Sequence, residues 1–208
     1  MKGAMGKVLQ FTAKPPSKLG FERVKKRKKA GPGQPGQLNL FSAPGGQVLR
    51  LPSNIGAFEE ALLLDERGDQ RANQVYWRAI EEGDSVADAY CNLGILESKA
   101  GRVTKAFDCF TKSLEHDPRH LESHYNLANL YFDEGNLRLA RMHYELAAAV
   151  EPTFPNIYFN LGLVHALNND YPASFSALSK YKELASNDES ANADELLENL
   201  KRSIAGKS

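Results

Sequence analysis

From about Asn54 onward, apolar residues recur at three- and four-residue intervals, the period of one face of a helix. Before that point no such period exists. Aligning the helical part on itself gives a repeat of 34 residues. Leu93-Gly94, Leu127-Ala128 and Leu161-Gly162 fall into register, as do Asn92, Asn126 and Asn160 just before them. Seven residues after each small residue stand Gly101, Gly135 and Asn169. Next come Ala106, Ala140 and Ser174, and four residues later Phe110, Tyr144 and Leu178. Pro118 and Pro152 close two of the units.

Each position has a physical task. A near-absent side chain at 94, 128 and 162 lets a second helix pack closely, and Ala106 with Ser113, or Ala140 with Ala147, offers a matching small surface on one helical face. Gly101 and Gly135 suit the left-handed residue that ends a helix, and Asn169 tolerates it best among other residue types. Pro118 and Pro152 stop the second helix of each unit. The expectation is an all-α fold of about four helix pairs, 53–86, 87–120, 121–154 and 155–188. Leu196, Leu197, Leu200 and Ile204 predict a capping helix over 190–204, in a closing segment 189–208.

The array resembles tetratricopeptide (TPR) repeats, whose period is 34 residues. Units 87–120 and 121–154 match best. Unit 155–188 departs at Ser174 and Tyr181 and lacks a closing proline, and 53–86 is the most divergent, as end units that cap a stack tend to be. The resemblance implies a right-handed superhelical solenoid whose first helices line a concave, partner-binding groove. It places Phe58, Leu62, Cys91, Asn92, Ile95, Tyr125, Asn126, Asn129, Phe159, Asn160 and Leu163 in that groove. An amide ladder of this kind can both donate to and accept from an extended peptide backbone. Members of the family that hold chaperone C-terminal carboxylates set Lys and Arg beside such Asn residues. This chain has Asp65, Glu66, Asp88, Glu122 and Asp133 there, with Lys99 the one opposite charge. The expected partner is therefore another protein, a peptide or helix with apolar and basic anchors. The alternative is that the Asn and aromatic residues cement neighbouring repeats.

Charge divides the chain in two. Residues 1–52 hold eleven basic residues against Glu22 alone, and the remainder holds fifteen against twenty-five acidic ones. A basic arm on an acidic body seeks polyanions or folds back on its own body. The arm contains Pro15, Pro16, Pro32, Pro35, Pro44 and Pro52 among many glycines, which excludes a sustained helix and predicts a mostly disordered tail over 1–52.

Two motifs stand in the arm. Gln37, Leu38, Leu40 and Phe41, in Gln-Leu-Asn-Leu-Phe, resemble the peptide by which bacterial replication and repair proteins dock on the sliding clamp. That resemblance implies a replication or repair accessory. Two other readings compete: a patch that docks on the body, or a hairpin with Val48-Leu49-Arg50-Leu51. Lys25, Lys26, Arg27, Lys28 and Lys29 form a cationic run suited to nucleic-acid phosphates, to nuclear import, or to solvation alone.

No phosphate loop, dinucleotide fingerprint or nucleophile elbow occurs, and no catalytic constellation emerges, so an enzyme with a small-molecule substrate is not expected. His116, His120 and His124 are four apart, but Pro118 breaks the helix they would need to share as metal ligands, so no metal and no cofactor is expected. Cys91 and Cys109 have no paired spacing, which points to reduced thiols and a cytoplasmic protein. No apolar run is long enough to cross a bilayer, so no membrane partner is expected.

Overall fold

The computed structural model describes residues 18–25 and 55–186, together with 193, 194, 196–198 and 200 near the end of the chain. Those from 55 onward form helices and connecting turns, residues 18–25 are extended without regular structure, and none of the described residues is in a strand. Four antiparallel pairs follow in order: α1 (Ala57–Glu66) with α2 (Ala72–Glu81), α3 (Val86–Lys99) with α4 (Val103–His116), α5 (Leu121–Asp133) with α6 (Leu137–Val150), and α7 (Pro155–Leu167) with α8 (Tyr171–Leu184). Each pair packs mainly on itself and then on the next, so the pairs stack into a solenoid.

The small residues act as their spacing predicts. A Cβ added at Gly94 would lie 2.6 Å from the Phe110 ring, and one at Gly162 would lie 2.6 Å from Leu178. The approach is closed by hydrogen bonds from the second helix to the first: Ser113 Oγ donates to the Ala87 carbonyl at 2.7 Å and Ser174 Oγ to the Gly162 carbonyl at 2.7 Å. The first helices end in left-handed residues, with φ of +72° at Gly101, +74° at Gly135 and +60° at Asn169. Asn accepts this conformation in the third place because its short polar side chain offsets part of the strain. The second helices α4 and α6 stop at His116 and Val150, two residues before Pro118 and Pro152.

Three cores run along the stack. The first centres on Phe58, Tyr76, Leu93 and Phe110, and the next on Tyr125, Tyr144 and Ile157. The last joins Phe159, Leu178 and Tyr181 to Leu196, Leu197 and Leu200, so the predicted cap does cover the open end of the fourth pair. Ile204 lies outside the described residues. The first core also includes Val24, and the last draws in Leu19. Part of the arm thus belongs to the packed structure.

Candidate functional site

The concave face is formed by α1, α3, α5 and α7. All eleven residues expected to line the groove are buried, the ladder amides Asn92, Asn126 and Asn160 fully so. Of the eleven, Asn92, Tyr125, Asn126, Asn129 and Asn160 hydrogen-bond a further segment lying on this face. That segment is residues 18–25 of the same chain, extended and running against the order of the repeats. It begins at α7 and reaches α1.

The amides grip the backbone of this segment at three points. Asn160 accepts from the Leu19 amide at 2.8 Å and donates to the Leu19 carbonyl at 3.2 Å. Asn126 does the same for Glu22, at 2.7 Å in each direction. Asn92 repeats it for Val24 at 3.0 and 3.2 Å. Asn129 donates to the Gly20 carbonyl at 2.9 Å, and the Tyr125 hydroxyl to the Leu19 carbonyl at 3.3 Å. A primary amide suits this task because it carries a donor and an acceptor side by side, matching the peptide N–H and C=O of one residue. A carboxylate would repel the carbonyl, and an alkyl side chain would leave both backbone groups unsatisfied.

Side chains of the segment meet chemically matched positions. Arg23 pairs with Asp65 at 2.8 Å, and Lys18 with Asp133 at 3.2 Å. Phe21 stacks on Phe110, with ring centres 6.1 Å apart, and Lys18 Nζ lies 5.1 Å from the centre of the Phe21 ring. Val24 is completely buried, and Glu22 Oε1 accepts from Asn156 at 2.7 Å. Gly20 is exposed, and a Cβ there would meet nothing within 4 Å.

Backbone and charge contacts are joined at one end. Asn92 Nδ2 donates to the Tyr76 hydroxyl at 3.2 Å, and that hydroxyl donates to Asp65 Oδ2 at 3.2 Å. Burial raises the Asp65 pKa above the usual carboxylate value, with Arg23 and the Tyr76 hydrogen bond acting against it. Burial likewise raises the Tyr76 and Tyr125 phenols, keeping both neutral as hydroxyl donors.

The same amides also link repeat to repeat. Asn160 Nδ2 donates to the Tyr125 hydroxyl and to Asn129 Oδ1, both at 3.0 Å, and Asn129 Oδ1 accepts from Tyr144. Asn126 Nδ2 lies 3.4 Å from Cys91 Sγ. Backbone contact and cement are one network, not alternatives.

The acidic residues separate into two groups. Asp65 and Asp133 face the segment, whereas Asp88 is hydrogen-bonded to His120 Nε2 at 2.8 Å. His120 is buried at the start of α5, where its Nδ1 accepts from the Ser123 amide at 3.1 Å. A histidine as N-cap has no place in the usual Ser, Thr, Asp and Asn preference, and no sequence signal marks it. His124 and His143 meet Nδ1 to Nδ1 at 3.1 Å, and no group of three potential metal ligands forms among the described residues. Burial pushes the Cys91 thiol up to about 12 and Cys109 up to about 11, so both stay protonated and inert.

Leu19, Phe21, Glu22, Arg23 and Val24 are missing from the groove residues expected from the sequence. Their apolar members, at 19, 21 and 24 between two cations, give only a faint pattern inside a breaker-rich arm. The motif at Gln37, Leu38, Leu40 and Phe41 and the cations Lys26, Arg27, Lys28 and Lys29 lie outside the described residues; Lys25 is exposed.

Family profiles described as tetratricopeptide repeat match residues 87–120 and 109–142, and one described as TPR repeat matches 128–169. Residues 87–169 carry tetratricopeptide repeats. It is similar to tetratricopeptide repeat protein 8 of Mus musculus, 30% identical over 100 residues, which is 48% of this chain and 19% of that protein. The matched stretch of this chain thus spans about a fifth of that curated relative. Among solved structures, a tetratricopeptide repeat protein from Parabacteroides merdae aligns with a TM-score of 0.61 at 18% identity, over 72% of this chain and 59% of that one. The first TPR of Spaghetti (RPAP3), bound to the HSP90 peptide SRMEEVD, aligns at 0.54 and 23% identity, over 57% and 93%. At these identities the likeness is one of fold. No described helix is long and apolar enough to cross a membrane.

Proposed function

We propose that this TPR protein is a non-enzymatic adaptor that holds an extended segment of another protein in its concave groove. The observation behind this reading is the three-point amide ladder. Asn92, Asn126 and Asn160 each pair with both the N–H and the C=O of one residue of an extended chain. Such contacts give affinity for a peptide backbone of any sequence, and the flanking pockets give selectivity. Asp65 and Asp133 favour basic anchors, and Phe110 favours an aromatic one. A related fold with a peptide in it, the first TPR of Spaghetti bound to an HSP90 peptide, supports a peptide as the class of ligand. The acidic groove favours a basic segment over an acidic chaperone tail.

Selection of a displayed peptide library on the full chain tests this reading. Peptides enriched on the wild type are expected to lose binding to an Asn126→Ala, Asn160→Ala variant whose helical circular dichroism is unchanged. Equal binding to both proteins would contradict it.

A further inference from the structure

We propose, building on the groove reading above, that residues 18–25 are a built-in competitor for the partner, and that their chemistry is the template of the partner's own segment. The groove in this structure is filled, not open. Any external peptide that uses Asn92, Asn126 and Asn160 must first displace Leu19, Glu22 and Val24 from the same six hydrogen bonds.

Three features give the segment the character of a bound peptide, although Val24, Phe21 and Leu19 also pack on the cores of the repeats. Its contacts are those of a bound peptide: backbone to amide side chains, with charged and aromatic anchors at intervals. It contributes one completely buried residue, Val24, while Gly20 and Lys25 are exposed and the other five are half-buried. The helix pairs beneath it close their backbone hydrogen bonds among themselves, so they do not depend on it for secondary structure. Ordering eight residues costs an amount of the same order as these hydrogen bonds and contacts return. Emptied, the ladder amides are satisfied by water.

Occupation by the chain's own segment follows from connectivity. Residues 26–54 join Lys25 to the first repeat, and fully extended they reach on the order of 90 Å, ample for return to the groove. A tether of this kind presents its peptide at an effective concentration on the order of millimolar. A partner arriving at micromolar concentration must therefore match the template closely or bind elsewhere as well.

The template is specific. It requires an N–H at three backbone positions, the second three residues after the first and the third two residues later, which excludes proline at each. It places a cation just before the first position at Asp133, and an Arg just before the third at Asp65. An aromatic residue precedes the second position, to stack on Phe110, and a compact branched residue occupies the third, to fill the site of Val24. The position after the first tolerates any side chain, since Gly20 faces open space. The peptide enters with its N-terminal end at α7.

The test uses a fluorescent, capped peptide of the sequence of residues 18–25. Its binding is followed by anisotropy on the wild-type full chain and on a full-chain Glu22→Pro, Val24→Pro variant, whose own segment lacks two of the three N–H groups that donate to the ladder. The variant is expected to bind the peptide at least about tenfold more tightly than the wild type, as release from a tethered competitor requires. Its helical circular dichroism and monomeric elution are expected to match the wild type. Equal, measurable affinity for both proteins would overturn self-competition while leaving the groove reading intact. Absence of binding to either protein, with helicity retained, would overturn both. Loss of helicity in the variant would make the segment part of the folding core and overturn the proposal. A wild-type chain eluting as a dimer, with the variant monomeric, would assign the segment to a second copy instead.

Discussion

The guanidinium of Arg23 lies 2.8 Å from the carboxylate of Asp65, although 42 residues separate them along the chain. This pair ties the basic arm to the acidic first repeat, and through Tyr76 and Asn92 it is continuous with the backbone contacts of Val24. The division of charge between the two parts of the chain thus has a local expression at one buried carboxylate.

Removal of Arg23 tests that pair. Asp65 is 5% exposed at its side chain, so Arg23→Ala leaves a buried carboxylate with only the Tyr76 hydroxyl and distant charges. The substitution is expected to cost about 1.5–3 kcal/mol, in keeping with loss of a hydrogen bond to a charged group. The Asp65 pKa is expected to rise further, because the loss removes a Coulombic effect that lowers it. In the Arg23→Ala, Asp65→Asn double variant the costs are expected to fall well short of additive. Urea denaturation of the four proteins measures the coupling, and additive costs would show that the two residues act independently.

Close helix packing at the small positions gives a second expectation. At Gly94 an added methyl group meets the Phe110 ring at 2.6 Å, and at Gly162 it meets the Leu178 side chain at the same distance. Overpacking of this kind costs about 1–3 kcal/mol. Gly94→Ala is expected to cost more than Gly162→Ala, since a rigid ring that also stacks on Phe21 has less room to yield than a leucine. Thermal melts of the two variants rank them, and a Gly94→Ala protein as stable as wild type would refute close contact at this crossing.

The histidine pair makes stability depend on pH. His124 Nε2 donates to the Pro118 carbonyl at 3.0 Å, so its Nδ1 is the acceptor for His143 Nδ1–H. Burial, reinforced by the neighbouring His124, holds His143 down to about 4, and burial also lowers His124. Both are bases favoured in the neutral form on folding. Between pH 6.5 and 4 the unfolded chain therefore binds more protons, and stability falls as pH falls through that window. Because His143 is partly exposed, solvent screening reduces the effect to about 1 kcal/mol between pH 7 and 5. His143→Phe, which preserves a ring against Tyr131, is expected to flatten this part of the stability profile relative to wild type. An unchanged slope would exclude His143 as its source.

The fold is legible in the sequence because its determinants repeat. A residue such as Gly94 must be small, Gly101 must adopt positive φ, and Pro118 must follow a helix end, and each requirement recurs after 34 residues. The Asn ladder is legible for the same reason, and its acidic flank follows from a count of charges. What fills the groove is not legible. Leu19 meets Asn160 across 141 residues and Val24 meets Asn92 across 68, so no local period links ligand to site. The segment is recognised chiefly through its backbone, which every sequence possesses. Its apolar anchors, Leu19, Phe21 and Val24, lie in an arm whose prolines and glycines argue against order, and the stronger local signal at 37–41 lies outside the described residues. The role of His120 as cap and partner of Asp88 is not legible either, because it arises from the turn between two repeats and not from a helical face.

Amide hydrogen exchange in the full chain, followed by NMR, tests the central claim most directly. The Leu19, Glu22 and Val24 amides each donate to a buried ladder Asn. They are expected to exchange slowly, all three to similar extents, and to lose protection together in Asn126→Ala. Exchange of these three amides at the rates of an unstructured peptide would contradict the account.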